Sequence, residues 1–138
     1  MSGSTTEETR RIVTAYAEAL RTRDLDTLRK TFAPDATWRM IGSLPVSGTW
    51  HGPEGILDGF LTRMFARLDP TAPVSQEVHR IIADGEYAVA EWTSHARSAD
   101  GRDYDNDYAI VFRVSDGHIA GVTEYTDTSH MADVLFSH

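Results

Sequence analysis

Two strand-like runs joined by a tight turn constrain this chain more than any other feature of its sequence. Between Gly101 and Thr128, the residues on both sides of Asp116-Gly117 alternate with a period of two. Such alternation is typical of a β-strand with one buried face, and an Asp-Gly pair between two such runs predicts a hairpin. The hairpin therefore lines either a core or a pocket. In its first run the apolar and aromatic face consists of Tyr104, Asn106, Tyr108, Ile110, Phe112 and Val114.

The N-terminal part of the chain predicts two helices. Apolar residues recur at helical spacing from Thr5 to Thr22, and the residues before them suit an N-cap. A second, shorter helix starts at Asp24 and carries Phe32 on its apolar face. It is predicted to end at Pro34, because proline lacks the N–H that a helix interior needs.

The rest of the chain predicts a third helix and a series of strands. A strand over 35–41 and a short strand over 49–51 precede a helix that opens at Gly52-Pro53 and continues to Leu68. From residue 74 onward, four strands follow one another through Asp-Gly turns. Helices that are segregated from a meandering antiparallel sheet predict an α+β fold.

Length and charge narrow the possible functions. The 138 residues suit a single domain over 1–138, with residues 1–4 as a flexible N-terminus and 129–138 as a tail that forms one or two helical turns. The net charge of -8 argues against nucleic acid and anionic membranes as partners, because both need clustered Lys and Arg. The absence of cysteine excludes a disulfide framework and leaves the redox compartment undetermined. With no apolar signal or membrane-spanning segment, the sequence predicts a cytoplasmic protein.

Glu124 is the residue that most suggests catalysis. If Val122 faces inward in the last strand, alternation turns Glu124 inward as well. A carboxyl on an apolar sheet face has its pKa raised toward neutrality, which suits proton transfer near pH 7. The alternative is that strand pairing or a bulge turns Glu124 to solvent or toward an arginine.

The strand over 87–99 suggests free volume beside that carboxyl. Small side chains that face a helical layer leave space, which is typical of a cavity wall. Close packing of helices on the sheet is the alternative interpretation. The small residues are Ala90, Ser94 and Ala96, on either side of Trp92.

The histidines show no metal-ligand spacing such as HExxH, so we expect neither a bound metal nor a cofactor. His79 lies on a strand of ambiguous phase, and His95 belongs to the outer face of its strand. Asp103, Asp105 and Asp107 alternate on one strand face. We interpret that face as solvated or as part of an interface.

Several segments carry a family resemblance that extends from Ile12 to Leu135. They are Tyr16-Ala17-Glu18-Ala19-Leu20 with Asp24-Leu25-Asp26, Phe32-Ala33-Pro34-Asp35-Ala36-Thr37-Trp38, Gly48 through Ile56, and Val111 through Ile119 leading to Glu124-Tyr125-Thr126-Asp127. Together they resemble the nuclear transport factor 2-like superfamily, in its SnoaL-like, ketosteroid-isomerase-related branch. The resemblance implies a cone-shaped α+β barrel in which helices wrap a curved sheet around an apolar pocket. It also implies a homodimer through the outer sheet face.

For activity the resemblance is less specific, because the fold serves isomerases, cyclases, dehydratases, epoxide hydrolases and non-catalytic modules. Tyr16 falls where ketosteroid isomerases hold an oxyanion-hole tyrosine. Their general-base aspartate falls on Met40, and their second oxyanion acid falls on about Ile110. Steroid isomerisation by that set of residues is therefore not expected.

Two other branches of the superfamily have a functional aspartate at the place that falls on Glu124. Limonene-epoxide-hydrolase-like members use a buried Asp-Arg-Asp set, whose arginine and first aspartate fall on Trp92 and Ser94. The place of the other aspartate falls on Glu124. Polyketide cyclases similar to SnoaL keep an acid/base aspartate at that same place.

The sequence thus predicts a small, cofactor-independent, dimeric enzyme with Glu124 as general acid/base. Its substrate is expected to be an apolar polyketide-, terpene- or steroid-like molecule, whose oxygen Tyr16, Asn106 and Tyr108 orient or polarise. The predicted pocket residues are Trp38, Met40, Trp50, Phe60, Met64, Trp92, Ser94, Ile110 and Val122.

Two alternatives remain open. In the first, the protein is a non-catalytic ligand-binding or dimerisation module in which Glu124 is a paired structural acid. In the second, it is a metal-dependent lyase that uses His79 and His95.

Overall fold

The computed structural model describes residues 4–137, which follow the order helix, helix, two strands, helix, four strands, helix. Residues 1–3 of the predicted flexible N-terminus and the last residue of the predicted tail lie outside the described residues. The elements are α1 Thr6–Arg21, α2 Leu25–Thr31, β1 Phe32–Met40, β2 Gly48–His51, α3 Gly52–Glu54, a π-helix Gly55–Leu61, α4 Thr62–Phe65, β3 Ser75–Asp84, β4 Tyr87–Arg97, β5 Asp103–Ser115, β6 His118–Thr126 and α5 Thr128–Leu135.

The strands form one six-stranded sheet in the order β2-β1-β6-β5-β4-β3. The pairing is antiparallel except between β1 and β6, which run parallel. The predicted α+β fold with a curved, mainly antiparallel sheet is confirmed. The sheet does not close into a barrel, since β2 and β3 remain its two edges, and helices cover its inner face.

Helix α1 packs across the inner face of the sheet and brings a tyrosine into the core. The Thr5 side chain caps the helix by accepting a hydrogen bond from the backbone N–H of Glu8. The Glu8 side chain in turn accepts from the backbone N–H of Thr5, which completes a capping box. Tyr16 is fully buried on the apolar side of this helix. Its ring packs edge-on against Phe32 and Phe112, with centroids 5.6 and 5.4 Å away.

The second helix is shorter than the sequence predicts. It ends at Thr31, and Phe32 and Pro34 belong to β1. The reason is tertiary, because Phe32 pairs with Ile119 of β6 in the parallel ladder. Pro34 lies within the register shift that follows, where a strand tolerates a residue without an N–H.

The third helical segment contains a π-helix at its centre. The segment begins at Gly52, with Pro53 in its first turn. The Thr62 hydroxyl donates to the carbonyl of Leu57 five residues earlier at 2.8 Å. The segment is predicted to run to Leu68 but ends at Phe65. Gly59 lies against the Trp50 ring, where a Cβ atom would come within 3.0 Å of two ring carbons. This close contact holds β2 against the helix.

The hairpin predicted between Gly101 and Thr128 is present and consists of β5 and β6. Asp116 and Gly117 have φ angles of 52° and 79°, the left-handed pair that a two-residue turn between twisted strands requires. At the other end of the hairpin, the side chain of Asp127 caps α5 by accepting from the backbone N–H of His130. Among residues 4–137, no helix is long and apolar enough to span a bilayer.

Candidate active site

Glu124 lies on the inner face of β6, a strand that is flanked in the sheet by β5 and β1. It pairs with Ile110 of β5 and with Met40 of β1. Its side chain is 5% exposed, so the alternation of β6 turns it inward. The alternative orientation, toward solvent or an arginine, is not the one observed.

A single side-chain hydrogen bond to the Glu124 carboxyl is found among the described residues. Trp38 of β1 donates from its indole nitrogen to Oε1 at 3.2 Å. Burial raises the pKa of Glu124 to about 7, although the Trp38 hydrogen bond lowers it in part. The carboxyl therefore exchanges its proton close to neutral pH.

A cavity of about 90 Å³ opens beside this carboxyl, between the sheet and the helices. Glu124 and Tyr108 both line it. Gln76 and Ser94 add polar groups, and most of the remaining wall is apolar. Six of the predicted pocket residues also line the cavity, namely Trp38, Phe60, Met64, Trp92, Ser94 and Ile110.

Three other predicted pocket residues lie next to the cavity wall without lining it. Met40 is buried beside Glu124 in the β1–β6 ladder, and Val122 pairs with Trp38 in the same ladder. Trp50 is half-buried and packs on Phe60 with ring centroids 5.9 Å apart. These side chains support the wall from behind.

Tyr16 is also outside the cavity lining. Its hydroxyl is buried and has no hydrogen-bond partner among the residues that the structure describes. Burial, followed by the charge of Glu124, raises the pKa of Tyr16 far above its ordinary value. Its ring packs near Trp38 at a centroid distance of 6.2 Å, so Tyr16 lies behind the tryptophan that holds Glu124.

A hydrogen-bonded group on β5 joins the predicted Asn106 and Tyr108 to a residue that the sequence prediction left out of the site. The hydroxyls of Tyr104 and Tyr108 are 2.6 Å apart, and the Asn106 amide donates to Tyr104 at 2.9 Å. Tyr104 and Tyr108 line the cavity, whereas Asn106 is buried behind them. The period-two phase of β5 could have identified Tyr104, because it shares the face of Tyr108.

Burial raises the pKa of both tyrosines. That of Tyr104 rises to about 12, while its hydrogen bonds to Tyr108 and Asn106 act in the opposite direction. The pKa of Tyr108 is raised well above its usual value by burial and by its neighbours Tyr104 and Glu124. Both hydroxyls therefore keep their protons at neutral pH.

Other lining residues were missed because they come from elements far apart in sequence. Leu20 lies in the last turn of α1, Leu135 ends α5, and Val74 precedes β3. Only the assembled fold brings these ends together. The half-buried residues at the cavity's edge include Met64, Phe65, Leu68 and Gln76.

The histidines considered for a metal lie away from this cavity. His95 is exposed on the outer face, and its hydrogen bond to Asp105 raises its pKa. His79 is exposed and contacts the Thr93 hydroxyl at 2.8 Å, and His51 is exposed as well. Within residues 4–137, no three His, Asp or Glu side chains are grouped in a way that could hold a metal ion.

Solved structures share this architecture at low sequence identity. An NTF2-like protein from Burkholderia xenovorans LB400 is 22% identical, with 96% of this chain and 99% of that chain covered and a TM-score of 0.78. TerC, co-crystallised with polyporic acid, is 21% identical over 94% of this chain and 99% of its own, with a TM-score of 0.82. An LEH-like epoxide hydrolase of M. tuberculosis is 26% identical over 94% and 90%, with a TM-score of 0.71. The fold is therefore that of the NTF2-like proteins.

The sequence profile of the SnoaL-like domain matches residues 13–122, and the chain belongs to that family. The resemblance inferred from the sequence is thus confirmed. The matched range ends at Val122, so Glu124 and α5 lie beyond it. No curated protein matches the sequence.

Proposed function

We propose that this protein is an acid/base enzyme that acts without a cofactor on a small apolar organic molecule, with Glu124 as the general acid/base. The observation that carries the proposal is a carboxyl with a pKa of about 7 at the wall of an apolar cavity. Proton transfer is most efficient when the pKa of the catalytic group lies near the working pH. Structural carboxylates that are paired with cations show the opposite shift.

The chemistry follows from the two protonation states of Glu124, which are similarly populated near pH 7. The ionised form can take a proton from carbon or from an attacking water, and the protonated form can give one to an oxygen. Isomerase, cyclase and hydrolase reactions all use such steps. The indole of Trp38 holds one carboxyl oxygen, which leaves the other to face a reactant.

The cavity limits the size of the molecule that fits without movement. Its volume of about 90 Å³ is below the roughly 150 Å³ of an engineered cavity that binds benzene in another protein. A polyketide-, terpene- or steroid-like substrate therefore requires the cavity to widen. Met64, Phe65 and Leu68 are half-buried at its edge, and their outward movement would admit a larger molecule. TerC, which shares the fold, was crystallised with the organic ligand polyporic acid.

A homodimer through the outer sheet face is part of this proposal. Ile82, Tyr87 and Tyr125 lie on that face and are 58%, 51% and 43% exposed. Val89 and Val111 lie between them in the same sheet, at opposite positions of the β4–β5 ladder. Exposed apolar groups that cluster on a sheet face are typical of association surfaces.

Titration of Glu124 tests the catalytic assignment. In protein labelled with ¹³C at the glutamate side-chain carboxyls, the signal that Glu124→Gln removes should titrate near pH 7. Its midpoint should move when cyclopentane, used as an apolar probe, fills the cavity, because desolvation of the carboxyl increases. Glu54→Gln, at an exposed position of α3, is the control for assignment. A midpoint in the ordinary range of glutamate that ignores the probe would instead support a non-catalytic module.

A further inference from the structure

The apolar mouth of the cavity is bordered by cations. This mouth consists of the half-buried Met64, Phe65 and Leu68, which line the cavity at its edge. The guanidinium of Arg23 lies over the Phe65 ring, 4.0 Å from its centroid. A positive charge is thereby held in contact with the wall of the cavity, in a chain whose net charge is -8.

A second guanidinium lies close to the same opening. Arg67 directly precedes Leu68 of the mouth, and its guanidinium is 4.9 Å from the centroid of the Phe136 ring. Phe136 follows Leu135, which lines the cavity. Arg67 is half-buried, so this side chain is held against the protein surface.

The two guanidiniums have no counter-ion within the described part of the chain. Neither is in an ion pair with a carboxylate of residues 4–137. The carboxylates nearest in sequence are engaged elsewhere, since Asp24 accepts from the backbone N–H and hydroxyl of Thr27, and Asp69 accepts from those of Thr71. Partial burial lowers the pKa of Arg23, because it disfavours the charged form. An anion would restore part of the stabilisation that this cation loses.

The backbone of Arg23 adds an independent observation. Its φ angle is 56°, in the left-handed region. Its N–H bonds to the carbonyl of Leu20, and the N–H of Asp24 bonds to that of Ala19, which is the Schellman pattern at a helix end. Glycine usually occupies the left-handed position of this motif, because a Cβ atom is strained there. Such strain is typical of functional positions, so the arginine side chain has a use beyond ending the helix.

Neutralisation of a helix C-terminus is the alternative use for an arginine at this place. Arg102 illustrates that use, because its guanidinium donates to the carbonyls of Asp133 and Val134 at the end of α5, at 2.6 and 3.1 Å. The guanidinium of Arg23 lies over an aromatic ring instead. A guanidinium that contacts a ring through its face keeps the N–H donors in its plane for an oxyanion.

We propose that Arg23 and Arg67 form an anion-binding rim at the mouth of the cavity, and that the substrate is an apolar molecule that carries a carboxylate. A carboxylate matches the planar donors of a guanidinium. It would remain at the mouth, because the cavity wall is mostly apolar and contains Glu124, whose ionised form repels it. The apolar part of the molecule would therefore enter first and face Glu124. This inference rests on the proposed function, because it names the substrate class for the same cavity.

Two ligands of equal length test the rim without turnover. Hexanoate carries the carboxylate on a slim alkyl chain, and hexanamide replaces it with a neutral amide. At pH 6.5, calorimetry should show hexanoate to bind about fivefold to tenfold more tightly, as two partly exposed charge pairs provide. The difference should shrink when sodium chloride is added, since salt screens exposed charges.

Substitutions of the arginines assign the preference to the rim. Arg23→Gln and Arg67→Gln should each reduce the preference for hexanoate, and the double variant should bind the two ligands equally. The affinity for hexanamide should stay unchanged. Arg63→Gln is the matched control, because it removes the same charge from a guanidinium 5.3 Å from the centroid of Trp50, a ring that does not line the cavity. This variant should keep the full preference.

The same titrations can overturn the rim separately from the catalytic proposal. Equal binding of hexanoate and hexanamide by the unmodified protein would refute the rim, as would a preference that survives in the double variant. An equal loss in Arg63→Gln would attribute the preference to overall charge and would also refute the rim. Absence of binding for both ligands would instead overturn the proposed function, on which the rim depends. In Glu124→Gln the preference should persist, even if Glu124 proves to have no catalytic role.

Discussion

The indole N–H of Trp38 donates to Oε1 of Glu124 at 3.2 Å, from a residue 86 positions earlier in the chain. Trp38 pairs with Val122 and Glu124 pairs with Met40, so the bond runs diagonally across the β1–β6 ladder. The tryptophan has two effects on the carboxyl. Its ring helps to exclude water, and its N–H stabilises the ionised form.

Removal of that hydrogen bond should raise the pKa of Glu124. In Trp38→Phe the ring is retained in part while the N–H that favours the carboxylate is lost. We expect the ¹³C titration midpoint of Glu124 to rise by about one pH unit or less, as the loss of one neutral hydrogen bond implies. Trp92→Phe is the matched control, because Trp92 lines the same cavity and is not the donor to Glu124. An unchanged midpoint in Trp38→Phe would show that the bond is weak in solution.

The pKa of Glu124 also predicts how stability depends on pH. The pKa in the folded state, about 7, lies above the ordinary value of 4.5, so the folded protein holds more protons between these two values. The free energy of unfolding therefore decreases as pH rises through this interval and levels off above it. Glu124→Gln removes the penalty and should be more stable than the unmodified protein at pH 8, by at most about 3 kcal/mol.

Urea denaturation of both proteins at pH 5 and pH 8 measures this difference. The gain in Glu124→Gln should be larger at pH 8 than at pH 5. A gain that is the same at both pH values would mean that the carboxyl titrates alike in the folded and unfolded states. Glu54→Gln, at an exposed site, is the control for the substitution itself.

Catalysis, once a substrate is found by thermal-shift screening, should depend on Glu124. Glu124→Gln keeps the shape and loses the titrating proton, so we expect kcat to fall by roughly 10²- to 10⁴-fold with the fold retained. If Glu124 acts as a base, kcat/KM rises with pH to about 7 and then levels off, and if it acts as an acid the profile is reversed. Activity that is unchanged in this variant would exclude the assignment.

Association through the outer sheet face can be tested with one charge. Ile82→Glu places a carboxylate at a 58% exposed position of that face and should shift a dimer toward the monomer in sedimentation velocity. Leu25→Glu is the control, because Leu25 is similarly exposed, at 53%, but lies on α2. Dissociation in both variants, or in neither, would place the interface elsewhere.

The features that could be predicted from sequence are those with a local cause. Period-two alternation turned Glu124 inward because side chains of a strand alternate across the sheet, whatever the strand packs against. The Asp116-Gly117 turn has a similarly local origin in the backbone conformation it requires. The predicted end of the second helix was wrong, because Phe32 pairs with β6, a strand near the other end of the chain.

The cavity itself could be predicted only in part. Trp92 and Ser94 follow from the alternation of β4, whereas Leu20 and Leu135 depend on where helix ends meet. The link from Asn106 to Tyr104 could not be predicted either, because a strand pattern gives the face of a side chain and not its hydrogen-bond partner. The π-helix has no sequence signal that we recognised.

The parallel pairing of β1 with β6 couples the site to the completion of folding. Trp38 leaves the ribosome 86 residues before Glu124, and the two meet only when a long stretch of chain has closed between them. Until then the side chain of Glu124 is exposed to water and is ionised at neutral pH, as that of an ordinary glutamate is. When β6 takes its place beside β1, the carboxyl loses its water and its affinity for a proton rises. At slightly acidic pH the protein therefore takes up a proton as it folds. That proton lies on the Glu124 carboxyl, which can then act as an acid.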